Sequence, residues 1–170
     1  MKQRIKQFLK AITAKIVLED EEFLNKYLKD QRLKGLFRQL PVFEQRHSLD
    51  VAYTILEKYS QVLDDNEKNL LIKGALLHDV GKIGTGLNPL TKSLAVVIDK
   101  LFPQIAKKLT FIKFIDGYYN HPIKGGQILK KYDLPPDVIY LVENHHKNSK
   151  NHYGHSGKLL KILMDCDDLN

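Results

Sequence analysis

Seven histidines are spread over 170 residues, and most of them stand where a helix begins or ends. His78-Asp79 closes the apolar run NLLIKGALLHD, and His145-His146 closes PDVIYLVENHH. His47 opens the amphipathic stretch HSLDVAYTILEKY, and His121 is followed at once by Pro122. Singly, a histidine is more often a surface or satisfied core residue than a ligand. A His-Asp pair at the end of an apolar helix is different, because it is costly to bury without a compensating partner. Adjacent helical positions diverge by about 100°, so neither pair can grip one ion as i,i+4 ligands do. Each pair can instead reach two neighbouring ions, or one ion and the groups around it. Asp79 is the natural bridge, since a carboxylate has two oxygens and a neutral imidazole binds one metal. Two ions about 3.5–4 Å apart recur where phosphate esters are hydrolysed, one activating water and both stabilising charge on phosphorus and its leaving oxygen. Imidazole and carboxylate ligands without thiolate suit Mn, Fe, Co, Ni, Zn or Mg.

The ordered series His47, His78-Asp79-Val80-Gly81-Lys82, His121-Pro122, Gly125, His145-His146 and Asp165 resembles the HD superfamily of metal-dependent phosphohydrolases. Within it, LLHDVGK, HPIKGGQIL and ENHHK are similar to the HDIG and HD-GYP-like branch, and the likeness runs from about residue 46 to residue 168. The resemblance implies a metal quartet of His47, His78, Asp79 and Asp165, with His121, His145 and His146 bringing in a second divalent ion. It places Lys82 where a substrate phosphate is met; the plainer reading of Lys82 is a cation near a helix C-terminus. Gly125 would serve close backbone packing, and Asp168 would be a second acid, or a capping or surface residue. Glu44, one turn before His47, could add a carboxylate, although some members carry the related position one residue earlier, here Phe43. Lys147 follows the histidine pair and no Gly-Tyr-Pro is present. That departs from the cyclic-di-GMP phosphodiesterases of the HD-GYP type. His152 and His155, in a polar loop, read as non-ligands.

The resemblance implies hydrolysis of a phosphomonoester or phosphodiester in a nucleotide-like substrate, with Asp79 bridging the ions and Lys82 neutralising the phosphate. Other readings stay open. The metal could instead stabilise a non-catalytic module that senses a nucleotide or binds a protein. The basic first helix could also be an arm for RNA or an acidic membrane.

The elements that must hold these residues are helical. Leu24, Tyr27 and Leu28, then Leu33, Leu36, Phe37 and Leu40, then Val51, Ile55 and Tyr59 recur at three- and four-residue spacing. Strand alternation and hairpin dipeptides are scarce. The periods predict helices near 2–18, 21–39, 47–60, 66–79, 91–115, 122–132 and 136–147, with a last one from about 156. Gly81 is placed as a left-handed C-terminal cap, and Pro122 as the first residue of a helix that His121 enters. The expectation is an all-α, single HD-type domain of about seven to eight helices across residues 1–170. Basic helices would fill 1–40 and the metal-site core 46–168. The segment 91–120, one or two helices with Pro103 as a break or kink, would be a lid, a dimer surface of a homodimer, or a helix completing the core.

Composition narrows the setting. The chain is 43% hydrophobic and carries a net charge of +7, enough apolar residues for a real core and a field that favours anionic partners. Residues 1–40 hold ten Lys or Arg against five acids, which a solvated helix face would also explain. One cysteine, Cys166, excludes an intrachain disulfide framework. No window is long and apolar enough to predict a transmembrane span, and Lys10 and Lys15 interrupt any signal-peptide core. A cytoplasmic protein is the expectation.

Overall fold

The computed structural model describes residues 8–146 and 154–170, and among them the regular structure is entirely helical. The helices are α1 (Leu18–Tyr27), α2 (Gln31–Arg38), α3 (Val42–Tyr59), α4 (Asp65–Leu77), α5 (Pro89–Leu101), α6 (Pro103–Lys108), α7 (Lys113–Leu129), α8 (Pro136–Asn144) and α9 (Gly154–Leu169). A 3-10 turn, Val80–Lys82, follows α4. The all-α expectation holds. No helix is long and apolar enough to cross a membrane among the described residues.

Helix α4 is the axis of the fold. Leu71, Ile72, Ala75, Leu76 and Leu77 have no exposure, so α4 is covered around most of its circumference and leaves the stripe of Asn66, Asn69 and Lys73 toward solvent. Helices α3, α8 and α9 surround it with Leu49, Ile55, Leu141, Leu160 and Leu163, all in one continuous core. Each such side chain contributes about 1.5–3 kcal/mol relative to exposure. The start of α4 is fixed by a capping box. Glu67 N donates to Asp64 Oδ1 at 2.8 Å and Asp64 N to Glu67 Oε2 at 3.1 Å.

Several boundaries differ from the periodic reading, each for a local reason. The helix expected over 21–39 is two helices, because the Asp30 carboxylate accepts from Arg32 N at 2.8 Å and starts α2 afresh. Residues 8–12 are helical but 14–17 are not. Asp20 instead takes the Val17 N–H at 2.9 Å and opens α1 there. Pro103, by contrast, is the break it was expected to be, beginning α6 and dividing the stretch 91–115. Pro122, expected to begin a helix, lies inside α7.

Gly81 is not the left-handed cap expected of it: positive φ is found at Gly84, Gly86 and Gly154. Its small size matters for another reason. A Cβ on Gly81 would lie 2.0 Å from the His121 carbonyl oxygen and 2.7 Å from Gly125 N. The 3-10 turn therefore rests directly on the backbone of α7, with glycine on both sides of the contact.

Candidate metal centre

Five helices bring an end or a face to one point of this bundle. His78 is the C-cap of α4, and Asp79 follows in the bridge region at φ −97°, ψ 3°. His47 comes from α3, His121 from the middle of α7, His145 from the C-cap of α8, and Asp167 from the last turn of α9. The close Gly81–α7 contact draws the chain after Asp79 against the turn carrying His121.

Asp79 lies at the middle, fully buried, with its two oxygens facing different neighbours. Oδ2 faces His78 Nε2 at 3.3 Å and His47 Nε2 at 4.0 Å, with Asp167 beyond, its Oδ1 3.7 Å from His78 Nε2 and 2.8 Å from His47 Nε2. Oδ1 faces His121 Nε2 at 3.3 Å and His145 Nε2 at 4.0 Å. His146, exposed, stacks its ring 4.4 Å from that of His145 and marks the open side. Potential ligand atoms therefore fall into groups that share members: His47, His78 and Asp167; His78, Asp79 and His145; His121, His145 and His146. Each group lies within 4.8 Å.

The imidazoles are oriented by one repeated device. His78 Nδ1 bonds the Ala75 carbonyl at 2.7 Å, and His145 Nδ1 bonds that of Val142 at 2.7 Å. His121 Nδ1 reaches the carbonyls of Gly117 and Tyr118 at 2.9 and 3.1 Å. Pro122 explains the second of these. It has no N–H to give to the Tyr118 carbonyl four residues earlier, so that acceptor is open to the His121 ring. In each case the Nδ1 proton is committed to backbone and Nε2 points into the centre, an arrangement common to metal-ligating histidines.

The interior of the site suits a cation. His78 Nε2 and Asp79 Oδ1 are buried without a hydrogen-bond partner. His121 Nε2 and His145 Nε2 lie 3.2 Å apart. Burial holds both rings neutral, pushing His145 down to about 3 and His121 well below its ordinary value. With both Nδ1 protons on carbonyls, two lone pairs then face each other. An ion about 2.0–2.1 Å from each nitrogen would accommodate that separation. Charge tells the same story. Burial disfavours a charged His78, yet the carboxylates of Asp79 and Asp167 outweigh it and raise the ring to about 9. Burial would raise Asp79, but the cationic His78 and Lys82 hold it well below the carboxylate range. Asp167 is kept low against burial by His47 and His78.

Lys82 is drawn inward. Its Nζ contacts Asp79 Oδ2 at 2.5 Å and Glu44 Oε2 at 3.3 Å, and the side chain is 7% exposed. Burial opposes its charge, but these two carboxylates hold it protonated. Glu44 is fully buried and also meets Lys92 Nζ from α5 at 3.0 Å. A chain Lys92–Glu44–Lys82–Asp79 thus runs from α5 into the centre. Lys82 is thus paired with Asp79 and Glu44, since a buried ammonium needs carboxylates around it.

The structure brings together His47, His78, Asp79, Lys82, His121, His145 and His146 of the residues singled out by sequence. Asp165 does not join them. Its carboxylate pairs with Lys161 at 3.0 Å, four residues back on the outer face of α9, and is 46% exposed. Asp167 takes the position against His47. Helical spacing carried the signal: Asp167 lies four and seven residues after the buried Leu163 and Leu160, and Asp165 does not continue that face. Asp168 is exposed. His155 lies at the start of α9, 3.5 Å from Glu67, away from the cluster. His152 falls outside the described residues.

Comparison with known families finds that the HD domain matches residues 45–170. No curated protein and no solved structure matches the chain.

Proposed function

The chain belongs to the HD-domain family, and we propose on that premise that it is a metal-dependent phosphohydrolase cleaving a phosphomonoester or phosphodiester bond in a nucleotide-like substrate. His47, His78, Asp79 and Asp167 would hold one divalent ion, and His121, His145 and His146 beside Asp79 would hold a second. The observation that carries this reading is the series of three ligand groups, the central one holding Asp79 and overlapping the others at His78 and His145, with His78 Nε2 and Asp79 Oδ1 buried and unpartnered.

Divalent ions bound there supply an activated water and neutralise charge on phosphorus and its leaving oxygen. The protein's part is orientation. Nδ1–carbonyl bonds fix three imidazoles with Nε2 inward, and the carboxylate of Asp79 faces both halves. Lys82 balances the charge of Asp79 and steadies its Oδ2. Burial of His78, Asp79, His121 and His145 keeps bulk water out on the inner side, while the exposed His146 leaves an approach for substrate. A net charge of +7 favours a phosphorylated ligand.

The test is metal analysis of protein purified without chelator, paired with hydrolysis of a generic phosphodiester and a nucleotide panel under Mn, Fe, Co, Ni, Zn and Mg. About two ions per chain and metal-dependent turnover, both lost in Asp79→Ala, are expected. No metal under any condition overturns the reading. Metal without turnover would recast the chain as a nucleotide-binding module.

A further inference from the structure

Helix α5 is apolar on the side that faces away from the protein. Its inner face is tied to the body by the buried Ala95, by Lys92 on Glu44, and by Asp99, which accepts from the hydroxyls of Tyr118 and Tyr119. The outer face carries Leu90, Leu94, Val97 and Leu101, at spacings of four, three and four, and each is about half exposed or more. Helix α6 and the turn after it extend this surface with Phe102, Ile105 and Phe111, the last 79% exposed. An amphipathic helix normally turns its apolar stripe to the core; here the apolar stripe of α5 faces out, and an exposed patch of this kind marks an interaction surface.

The charges around the patch say what covers it. Lys100, Lys107, Lys108 and Lys113 are exposed and alternate along the chain with the exposed apolar residues. Between Leu87 and Ile115 the sole acid is Asp99, and it is turned inward to the tyrosines. A second copy laid on this face would bring two sets of these lysines together with no acid to meet them. Exposed phenylalanine and leucine bordered by lysine, without acid, match the boundary of an anionic bilayer. There the apolar groups enter the acyl region and the ammonium groups meet lipid phosphate.

We propose that the outer face of α5–α6, from Leu90 to Phe111, docks this protein on an anionic lipid surface. The docking face is separate from the metal centre. Through Lys92, however, α5 touches the same Glu44 that holds Lys82, so the helix meeting the membrane is the one braced against the site.

The full chain is sedimented with vesicles of phosphatidylcholine alone, and with vesicles containing about one third phosphatidylserine. Binding to the anionic vesicles is expected to be at least about tenfold the tighter and to weaken with salt. The double variant Phe102→Ser/Phe111→Ser should lose about tenfold or more, and Lys107→Glu/Lys108→Glu roughly fivefold per position. All four side chains are exposed, so circular dichroism and metal content should stay those of the parent. Equal binding to both vesicle types overturns the proposal, as does no binding to either. Undiminished binding of the variants overturns it too and places the contact elsewhere, the basic N-terminal segment first. If sedimentation equilibrium without lipid shows a dimer that Leu94→Glu dissociates, a second copy covers the face and the proposal fails.

Discussion

His47 Nε2 lies 2.8 Å from Asp167 Oδ1, joining the first turns of α3 to the last turn of α9 across 120 residues of sequence. Asp167 and Asp165 are two residues apart, yet one faces the centre and the other solvent. Asp167→Ala is therefore expected to remove about one ion and most of any activity, while Asp165→Ala keeps both. Metal analysis of the two variants decides it. Loss of metal in Asp165→Ala with retention in Asp167→Ala would reverse the assignment.

Pro122→Ala restores an N–H to α7. It would compete with the His121 ring for the Tyr118 carbonyl, where His121 Nδ1 now lies at 3.1 Å. Affinity for the ion on the His121–His145 side should fall about tenfold, the usual cost of losing a group that orients a ligand. Thermal stability should hold or rise, because proline inside a helix is unfavourable. Calorimetric metal titration beside a thermal melt separates the two effects. Unchanged affinity would show that the Gly117 carbonyl alone suffices to orient the ring.

Gly81→Ala would place its Cβ 2.0 Å from the His121 carbonyl oxygen, a backbone atom that cannot swing away. The 3-10 turn must then lift from α7, at a cost of about 3 kcal/mol, and Asp79 shifts with it. Denaturant melts should show the loss, and metal content should drop even where the fold survives. By contrast Gly35→Ala, inside α2 where an added Cβ has nothing within 4 Å, should melt at or above the parent's temperature, since alanine favours a helix over glycine by up to about 1 kcal/mol.

Acid stability should depend on Asp20, which is 1% exposed. Burial favours its protonated form. Bonds from Val17 N at 2.9 Å, Tyr53 Oη at 2.8 Å and Arg46 Nη1 at 2.6 Å outweigh this and hold the carboxyl below its ordinary 3.8. A lowered folded pKa means the contribution is present above 3.8 and is lost as pH falls through the folded value. Asp20→Asn should cost about 2 kcal/mol at neutral pH and flatten the acid limb of the stability curve below pH ~4. A variant with the parent's acid limb would show that the Asp20–Arg46–Tyr53 cluster does not anchor α1 to α3.

The sequence by itself determined the helical class, the family likeness and six of the residues now gathered as candidate ligands. Apolar period and paired chemistry at helix ends are local properties that a linear chain displays. His78-Asp79 at the end of a run such as LLIKGALL, and His145-His146 after VIYLVEN, announce buried polar groups without reference to any partner. What only the tertiary structure decided was orientation. In α9, spacing from Leu160 and Leu163 puts Asp167 on the apolar face, but that its carboxylate meets His47 of α3 follows from how this face seats against the rest of the core. Pro122 reads locally as a helix start, but packing keeps α7 continuous and the His121 ring occupies the carbonyl the proline leaves open. Lys82 reads locally as a free cation at a helix end, and only the approach of Glu44 from α3 makes it a buried partner of Asp79. Composition and spacing say which groups must be buried. Which atoms they face follows from the contacts between distant helices, and those exist only after the chain has folded.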